Sequence, residues 1–366
     1  MANKRIICFI GALSSGGAEH QLTELSNMLI VSGYEVNLVT FSDANDHYHL
    51  DERVKRVRIA PGRNGLIKIL SIFWYFLKCK TDCVISYGQR ANVYCLFPLM
   101  FRGRRVKVLA CERSCTLNRK PDNYEKYLLG GLYKRADWIV CNSFSQAKHI
   151  VQEKPKLEKK VKTVINYIDL KEYRAYPQPN NTPVRYGVFA RYIKLKNYER
   201  LVEIVSRLKK EGYSFTIEWF GNQRGKNGVE NPEYVELKKL VIDAGISQEF
   251  LLNDHVPNTA TVIPQYDAVC LASLWEGFSN IIAEAISCGR PMLVSDVSDN
   301  GVMVKQGVNG FLFNPFDSNE IYEAFVKFLS LSKKEKEEMG QKSRQIAESL
   351  FDKDAFLRAY IDCIEK

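Results

Sequence analysis

Short apolar runs alternate with helical patterns along the whole chain of 366 residues. Runs of four to six apolar residues bounded by polar or turn-forming residues are typical of buried β-strands. Strands that alternate with helices assemble into parallel sheets with helices on both faces. The pattern predicts an α/β fold of two doubly wound, Rossmann-like domains, with strands at residues 5–10, 35–40, 83–86, 107–111, 138–141, 162–165, 186–190, 216–220, 268–272 and 292–295. Helices are expected at 18–32, 198–211, 281–288, from 318 onwards and throughout 333–366.

A polar segment divides the chain near its middle. Its sequence, RAYPQPNNTPVR at residues 174–185, is rich in proline and asparagine, as connections between domains often are. A chain of this length folds into about two domains. We therefore expect a first domain at residues 1–173, a linker at 174–185, a second domain at 186–350, and a C-terminal helix at 351–366 that returns to the first domain.

The two halves of the chain differ in charge. The whole chain has 52 Lys and Arg against 42 Asp and Glu, a formal net charge of +10. Residues 1–175 hold 29 and 16 of these, which gives +13, whereas residues 176–366 hold 23 and 26, which gives −3. An apolar content of 46% excludes a disordered or collagen-like chain. The basic half is expected to bind phosphate-bearing polymers or an anionic membrane surface.

The cysteines and the lengths of the apolar runs indicate where in the cell the protein is expected. Ten cysteines in a chain of this length, several of them within predicted strands, indicate buried reduced thiols rather than a disulfide framework. No apolar stretch approaches the roughly 18 residues of a membrane span, and the short N-terminal apolar run leads into a glycine loop rather than a signal-peptide cleavage site. We expect a cytoplasmic protein that is soluble or peripheral at the inner face of the membrane.

Three loops follow predicted strands directly, and ligands of open parallel sheets bind beyond the carboxyl ends of the strands. The first loop contains Gly16 and Gly17, which allow the backbone to approach a ligand but equally suit an ordinary tight turn. The second contains Arg191 and Lys196, which can clamp a diphosphate or lie as solvated surface charges.

The third loop has the strongest pattern. Glu276 follows a predicted strand, Gly277 permits a tight turn, and Ser279 is placed to cap a helix that contains Glu284. Both carboxylates can then face one pocket, and the N–H groups of residues 278–281 can point at an anionic ligand between them. Because carboxylates accept hydrogen bonds from sugar and ribose hydroxyls, this loop suits a ligand that carries both hydroxyls and phosphate.

The segment from Glu276 to Glu284 resembles the E-x7-E motif of the retaining glycosyltransferases of family four, which have the GT-B fold. The resemblance extends along the chain through GGAE at residues 16–19, INYID at 165–169, Arg191 with Lys196, and GVNG at 307–310. It implies two domains facing across a cleft and transfer of a sugar from a nucleotide-diphosphate sugar. The implied acceptor is a glycan or a lipid-diphosphate-linked molecule in the biosynthesis of a surface polysaccharide or lipopolysaccharide, bound by the first domain, while the second binds the donor.

The resemblance also implies roles for individual residues. Arg191 and Lys196 are expected on the donor phosphates, and these two with Glu276, on the hydroxyls of the transferred sugar, are the expected catalytic residues. Glu284 is expected on the ribose. The full expected donor-binding set is Gly16, Gly17, Arg191, Lys196, Glu276, Gly277, Phe278, Ser279, Asn280 and Glu284. No metal or other cofactor is expected, because cations and helix N-termini neutralise the leaving diphosphate.

Two stretches depart from the family pattern. Many members place a histidine in the first domain near the reacting sugar, but the corresponding segments here, 86–92 and 112–114, contain none. Acceptor contacts are expected from these segments, through Arg90, Asn92, Glu112 and Arg113. Segment 299–302 also lacks the acidic residue that many relatives place near Val302, which leaves one sugar contact unassigned.

The segment LIKILSIFWYFL at residues 66–77 is apolar nearly all round and is flanked by lysines. It favours a helix packed within the first domain, and the alternative is a helix at a lipid interface, where aromatic and basic residues occur together. Basic clusters also occur at residues 53–58, 102–107, 119–120 and 154–162.

Other functions stay open at this point. A nucleotide-sugar-binding protein without transfer activity is motivated by the missing histidine, and an epimerase of the same fold is a further alternative. A nucleic-acid-binding protein that uses the basic half is the third. No RNA- or DNA-binding module is recognisable in the sequence, so we expect no nucleic-acid partner.

Overall fold

The structure is a computed structural model that describes residues 4–14, 16–42, 46–63, 65–103, 106–113, 122–225 and 228–366. The chain divides into two units: the described part of Met1–Tyr167 together with Lys353–Lys366, and Ile168–Asp352. Some residues of the basic clusters at 102–107 and 119–120 lie outside the described ranges. No helix of the described residues is long and apolar enough to cross a membrane.

The first unit is built on one parallel sheet with the strand order β3-β2-β1-β4-β5-β6-β7. Alternate residues of the central first strand supply two separate cores, because successive side chains of a strand point to opposite faces: Ile6 and Cys8 face one core, and Ile7 and Phe9 face the other. Helices therefore cover both faces, as the alternating pattern predicts. The elements are β1 (Arg5–Ile10), α1 (Gly17–Val31), β2 (Glu35–Thr40), β3 (Lys55–Arg58), α2 (Gly65–Lys78), β4 (Cys83–Tyr87), α3 (Gln89–Leu99), β5 (Lys107–Glu112), α4 (Asn123–Gly130), β6 (Trp138–Cys141), α5 (Phe144–Glu153) and β7 (Val161–Thr163).

The second unit contains a six-stranded parallel sheet with the order β10-β9-β8-β11-β12-β13. Its main core joins the strands to amphipathic helices through residues such as Tyr186, Leu201, Trp219 and Phe325. The elements are β8 (Val184–Phe189), α6 (Tyr198–Lys210), β9 (Phe215–Phe220), α7 (Pro232–Asp243), β10 (Phe250–Asn253), β11 (Ala268–Leu271), α8 (Asn280–Ser287), β12 (Met292–Ser295), α9 (Asn300–Met303), β13 (Gly310–Phe313), α10 (Ser318–Ser330) and α11 (Lys333–Leu350).

The last helix, α12 (Lys353–Glu365), belongs to the first unit. Phe356 and Tyr360 are buried in the core that also contains Cys8, and the hydroxyl of Tyr360 lies 2.8 Å from that of Tyr87. The prediction of uninterrupted helix over residues 333–366 is wrong at Phe351–Asp352. There the helical path breaks because Phe351 turns into the second unit, where its ring lies 6.3 Å from that of Phe278.

The polar segment 174–185 lies within the second unit and is tied to it by hydrogen bonds. Gln178 donates to the carbonyl of Asp267 at 2.6 Å, and the amide of Asn181 donates to the carboxylate of the same residue at 2.9 Å. The buried guanidinium of Arg290 donates to the carbonyls of Tyr176 and Pro177. Proline and asparagine here indicate irregular backbone, but the backbone is anchored rather than detached.

Eight of the nine cysteines in the described ranges are buried, and all nine are free thiols. Burial raises the pKa of Cys8, Cys95 and Cys288 to about 12 in each case. Such thiols stay protonated at neutral pH and act as small apolar side chains in the cores. The tenth, Cys115, lies outside the described residues.

Candidate active site

The order of strands in the second sheet reverses between β8 and β11, which are hydrogen-bonded neighbours. Loops that leave two such strands at their carboxyl ends diverge and open a crevice, which is where open α/β sheets bind ligands. Arg191 and Lys196 follow β8, and Glu276 follows β11. The topology thus brings the second and third predicted loops to adjacent positions.

Buried hydrogen bonds hold the loop after β8 in place. The hydroxyl of Tyr192 donates to the carbonyl of Asn253 at 2.6 Å and also lies 3.0 Å from that of Trp219. Asn197 adopts a left-handed conformation with φ 60°, and its side-chain amide donates to the carbonyl of Pro315 at 2.8 Å. Lys196 is therefore presented from a backbone that is held on both sides.

Lys196 and Glu276 form a direct ion pair. The ammonium Nζ lies 2.5 Å from Oε1 of the carboxylate. The side chain of Lys196 is 14% exposed and that of Glu276 is 13% exposed. The backbone N–H of Leu274 donates to the carbonyl of Leu195 at 2.9 Å and ties the two loops together. The cation expected on the donor phosphates and the carboxylate expected on the sugar therefore occupy one small, partly shielded site.

Ser298 supports Glu276 and was not identified from the sequence. Its hydroxyl donates to the backbone carbonyl of Glu276 and also lies 3.4 Å from the backbone N–H of that residue. Ser298 itself adopts a positive φ of 51°. A serine in a polar loop gives no signal of such a role, because the contact depends on a separate loop after β12.

Arg191 is exposed, and no ion pair joins it to another described residue. The structure therefore does not bring Arg191 into the pair formed by Lys196 and Glu276. Its side chain stands at the end of β8 with its guanidinium available to an anion from solvent.

Helix α8 begins four residues after Glu276. Ser279 occupies the N-cap position with extended backbone, but its side chain accepts no capping hydrogen bond, so the prediction that it caps the helix is wrong. Phe278 and Ser279 are buried, and Gly277 needs no positive φ to make the turn. Without a side-chain cap, the first N–H groups of α8 remain oriented toward a ligand, which helix N-termini favour when it is anionic.

Glu284 is the fifth residue of α8. Burial raises the pKa of Glu284 to about 7, the hydrogen bond from Thr259 acts in the opposite direction, and the negative charge of Glu172 raises the pKa further. The hydroxyl of Thr259 donates to Oε2 at 2.7 Å and lies 3.1 Å from the hydroxyl of Tyr173. Thr259 and Tyr173 carry no recognisable motif, so the sequence did not identify them.

In the first unit, Gly16 and Gly17 lie where the loop after β1 enters α1, and the order of strands reverses between β1 and β4. Gly16 is the N-cap of α1 with extended backbone, and Gly17 is the first helical residue. The carboxylate of Glu19 folds back over Gly16, so that a Cβ there would clash with Oε2. The close approach that favours glycine here is to the chain's own flexible side chain.

The four expected acceptor residues separate into a buried pair and two arginines. Asn92 and Glu112 are 0% exposed. The amide of Asn92 donates to Oε1 of Glu112 at 2.9 Å, Tyr133 donates to the same oxygen, and Ser86 donates to Oδ1 of Asn92 at 2.5 Å. Burial raises the pKa of Glu112 to about 7 against the effect of these hydrogen bonds. This pair joins β4, α3 and β5 inside the unit and does not face solvent.

Arg90 and Arg113 lie apart from that pair. The guanidinium of Arg90, which is exposed, lies 5.2 Å from the ring centroid of Phe41. Arg113 lies 4.6 Å from the ring centroid of Tyr87 and donates to the amide oxygen of Asn166. An acceptor role of these residues stays a prediction. Within the described ranges, no group of three or more His, Cys, Asp and Glu side chains is arranged to hold a metal ion.

Comparison with known proteins covers nearly the whole chain. A family model described as Glycosyltransferase Family 4 matches residues 15–172, and one described as Glycosyl transferases group 1 matches residues 170–346. The chain is similar to the N-acetylgalactosamine-N,N'-diacetylbacillosaminyl-diphospho-undecaprenol 4-alpha-N-acetylgalactosaminyltransferase of Campylobacter jejuni. The two are 24% identical over 303 residues, and this match covers 79% of this chain and 80% of that protein.

Solved structures of similar fold span both units. A glycosyltransferase of Rickettsia africae superposes with a TM-score of 0.82 at 15% identity, covering 100% of this chain and 98% of that one. HepE of Anabaena, in complex with UDP and glucose, gives a TM-score of 0.81 at 16% identity and covers 99% of this chain and 100% of that one. At these identities the likeness shows the fold.

Proposed function

Because the chain belongs to the family-four glycosyltransferases of GT-B fold, we propose that it transfers a sugar, with retention of configuration, from a nucleoside-diphosphate sugar to a lipid-diphosphate-linked glycan during assembly of a surface polysaccharide or lipopolysaccharide. The observation that carries the proposal is the ion pair of Lys196 and Glu276 at the reversal of strand order, four residues before an uncapped helix N-terminus.

In this proposal the second unit binds the donor. Lys196 and Arg191 hold the diphosphate, one as a point charge and the other through a planar guanidinium. The N–H groups at the start of α8 contact the same phosphates. Glu284, with Thr259 behind it, accepts a hydrogen bond from the ribose, and Glu276 accepts one from a hydroxyl of the transferred sugar.

Chemistry then depends on stabilisation of the leaving group. The bond between the anomeric carbon and the donor phosphate breaks, and negative charge develops on the departing diphosphate. Lys196, Arg191 and the helix N-terminus are oriented toward that charge before it forms, which is the arrangement that lowers a barrier most effectively. The acceptor hydroxyl attacks from the same face, and its proton passes to an oxygen of the leaving phosphate. We propose that these groups replace a metal ion.

The acceptor class is proposed from charge and from a relative. The similar protein of Campylobacter jejuni is named for an acceptor linked to undecaprenyl diphosphate. The surplus of +13 in residues 1–175 suits an acceptor that carries a diphosphate and lies at an anionic membrane surface. Arg90 and Arg113 are the exposed and partly exposed cations that we propose for acceptor contacts in the first unit.

The decisive experiment compares two lysines of one short turn. Lys196→Ala removes the cation that pairs with Glu276, and we expect sugar transfer to fall by about a hundredfold or more. Lys194→Ala, in the same turn, removes an exposed cation that pairs with Glu236 at 2.9 Å, and transfer should stay within about twofold of the wild type. Donors are first screened by thermal shift with a panel of nucleoside-diphosphate sugars.

Equal activity of the two variants would contradict the phosphate-binding role of Lys196. Tight donor binding by the wild type, with neither transfer to a lipid-diphosphate acceptor nor hydrolysis of the donor, would instead identify a binding protein without transfer activity.

A further inference from the structure

The helix α2 is far more exposed than its apolar composition predicts. Five of its large apolar side chains are between 45% and 70% exposed: Leu66, Ile67, Ile69, Leu70 and Trp74. Only Ile72 and Phe76 of this helix are buried. The helix does pack within the first unit, as the favoured prediction has it, but only through one narrow stripe that leaves its first two turns open.

A second apolar group continues this surface. Phe97, Met100 and Phe101, at the end of α3, are between 38% and 63% exposed. Phe73 of α2 joins the two groups, since its ring centroid lies 6.1 Å from those of Phe97 and Phe101. Eight exposed large apolar residues thus cluster on one region of the surface of the first unit. Such patches mark sites of contact with a protein or a membrane.

The charge around this surface is predominantly positive, although Asp46 and Asp51 pair with three of its arginines, Arg53, Arg56 and Arg58. Residues 53–111 contain 13 Lys and Arg and one acidic residue, Asp82. This segment therefore supplies +12 of the +13 carried by residues 1–175. Neither α2 nor α3 contains Asp or Glu. The ammonium of Lys78 lies 5.3 Å from the ring centroid of Trp74, so that a cation and an indole are presented together at the end of α2.

We propose that this surface, formed by α2 and the end of α3, docks the first unit onto the headgroup layer of an anionic phospholipid bilayer. The inference rests on the proposed function, because an enzyme with a lipid-linked acceptor must reach the membrane. It goes further in naming the surface that does so.

The dimensions of α2 fit a helix that lies on the bilayer. A helix of 14 residues is about 21 Å long, whereas the hydrocarbon core is about 30 Å thick. Interfacial helices place Leu, Phe and Trp about 5–10 Å into the boundary of headgroups and acyl chains and keep Lys and Arg among the phosphates. Leu66, Leu70 and Trp74 follow each other at the spacing of one helical face, which permits them to insert together.

A groove beside α2 adds a recess to this surface. It has a volume of about 520 Å³ and is lined by Ile59, Trp74 and Tyr75, with Arg58 and Lys78 also on its walls. Arg58 is held by Asp46 at 3.3 Å, whereas no acidic partner pairs with Lys78 within the described ranges. An apolar recess with cations on its walls suits the junction between a phosphate headgroup and its chains.

Charge argues against the other occupants. A second copy of the chain would bring two cationic surfaces together, which is unfavourable. A nucleic acid would satisfy the cations but would leave the aliphatic side chains of Leu66 and Leu70 without an apolar partner. An anionic bilayer satisfies both the charge and the apolar area.

The test is flotation of the whole protein with vesicles of phosphatidylcholine alone or of phosphatidylcholine and phosphatidylglycerol in equal amounts. The wild type is expected to float with the anionic vesicles and much less with the neutral ones, and about 1 M salt should reduce the difference relative to about 0.1 M. Leu66→Glu with Leu70→Glu should lower the partition constant at least tenfold.

The matched control is Val31→Glu with Ile242→Glu. These side chains are 69% and 59% exposed, lie outside the proposed surface and add the same negative charge, so binding should not change beyond about twofold. Lys78→Gln with Lys80→Gln should lose about fivefold per cation on anionic vesicles only, whereas Lys238→Gln with Lys239→Gln should not. Circular dichroism verifies that each variant is folded.

Equal flotation of the wild type and the Leu66/Leu70 variant, equal loss in the Val31/Ile242 variant, or no flotation of the wild type overturns the proposal. A lipid-free dimer that the Leu66/Leu70 variant dissociates would assign the surface to a second copy instead. Thermal shift with nucleoside-diphosphate sugars is measured on the same proteins. Loss of flotation with donor binding retained supports the docking surface, and flotation without any donor binding leaves it standing while the proposed function fails.

Discussion

Both sheets place polar side chains at the carboxyl ends of parallel strands, but the two units expose them differently. In the second unit, Lys196 and Glu276 form an ion pair that solvent can still reach. In the first unit, Asn92 and Glu112 have no exposed surface and bond to each other and to Tyr133. Position at the end of a strand is therefore insufficient to indicate a ligand site, because the side chains must also keep access to the ligand.

The same difference separates two carboxyl groups whose pKa values are alike. Burial raises the pKa of both Glu112 and Glu284 to about 7. Glu112 is fully buried, whereas Glu284, in the middle of α8, has intermediate exposure. A perturbed pKa is a common property of active sites, but structural carboxyl groups share it.

The largest effect is expected for Glu112, on the pH dependence of the free energy of unfolding. The folded-state pKa of Glu112 lies above its ordinary value of 4.5, so the folded protein binds more protons than the unfolded one between pH 4.5 and about 7. Stability must then fall as pH rises through this window, by roughly 3 kcal/mol for this group. Glu112→Gln should remove this fall, as measured by denaturant-induced unfolding at several pH values.

The substitution suits the site, because glutamine is nearly isosteric and keeps an oxygen that can accept from Asn92 and Tyr133 while it removes the titrating group. Glu52→Gln, an exposed position of the same unit, serves as the control and should leave the pH profile unchanged. A profile that stays equally steep in Glu112→Gln would show that the buried carboxyl group does not govern stability.

A smaller effect is expected on donor affinity. The ionised form of Glu284 accepts a hydrogen bond from the ribose more strongly than the protonated form, and a pKa of about 7 makes ionisation rise between pH 6 and pH 8. Affinity for a nucleoside diphosphate should therefore rise about tenfold over this range through this group. Glu284→Gln should abolish that contribution and bind about tenfold more weakly at pH 8, as measured by calorimetry.

The buried carboxyl group of the other unit provides the comparison. Glu112→Gln should leave donor affinity and its pH dependence as in the wild type. The contrast between the two units is disproved if both substitutions change donor affinity equally.

The smallest effect concerns two serines at helix N-termini of the second unit. Ser332 caps α11 through a capping box with Glu335, so Ser332→Ala should cost about 1 kcal/mol of unfolding free energy. Ser279 makes no such bond, so Ser279→Ala should cost less than about 0.5 kcal/mol. Denaturant unfolding measures both, and a cost for Ser279→Ala that matches Ser332→Ala would show that the start of α8 is capped after all.

The sequence predicts the central strands well and the edge strands poorly. β1, β2, β6 and β12 begin and end at the residues predicted from their apolar runs. Of the four edge strands, β3, β10 and β13 were missed, whereas β7 was predicted close to its place, at residues 162–165. Lys55–Arg58 has three cations in four residues and bonds to one neighbour only, so neither composition nor periodicity distinguishes it from a loop.

Some residues of the candidate site could likewise be predicted from a local sequence pattern, and others could not. Lys196, Glu276 and Glu284 stand in a recognisable local spacing, and the parallel topology brings the first two together. Thr259 and Ser298 contact the two glutamates through hydroxyl groups from distant loops. Their positions depend on how those loops close over the sheet, for which a single serine or threonine gives no local signal. The burial of Asn92 and Glu112 was missed because a strand ending in a carboxylate has the same pattern whether that residue faces solvent or the interior.

Helix α12 makes the first unit discontinuous in sequence, since the chain leaves that unit after Tyr167 and re-enters it at Lys353. In topological terms the second unit is an insertion within the first. A gene fragment that encodes residues 168–352 is contiguous, whereas a fragment that stops at Asp352 deprives the first unit of Phe356, Tyr360 and Cys363 from its core. Synthesis on the ribosome therefore completes the second unit before the first unit can close its own interior.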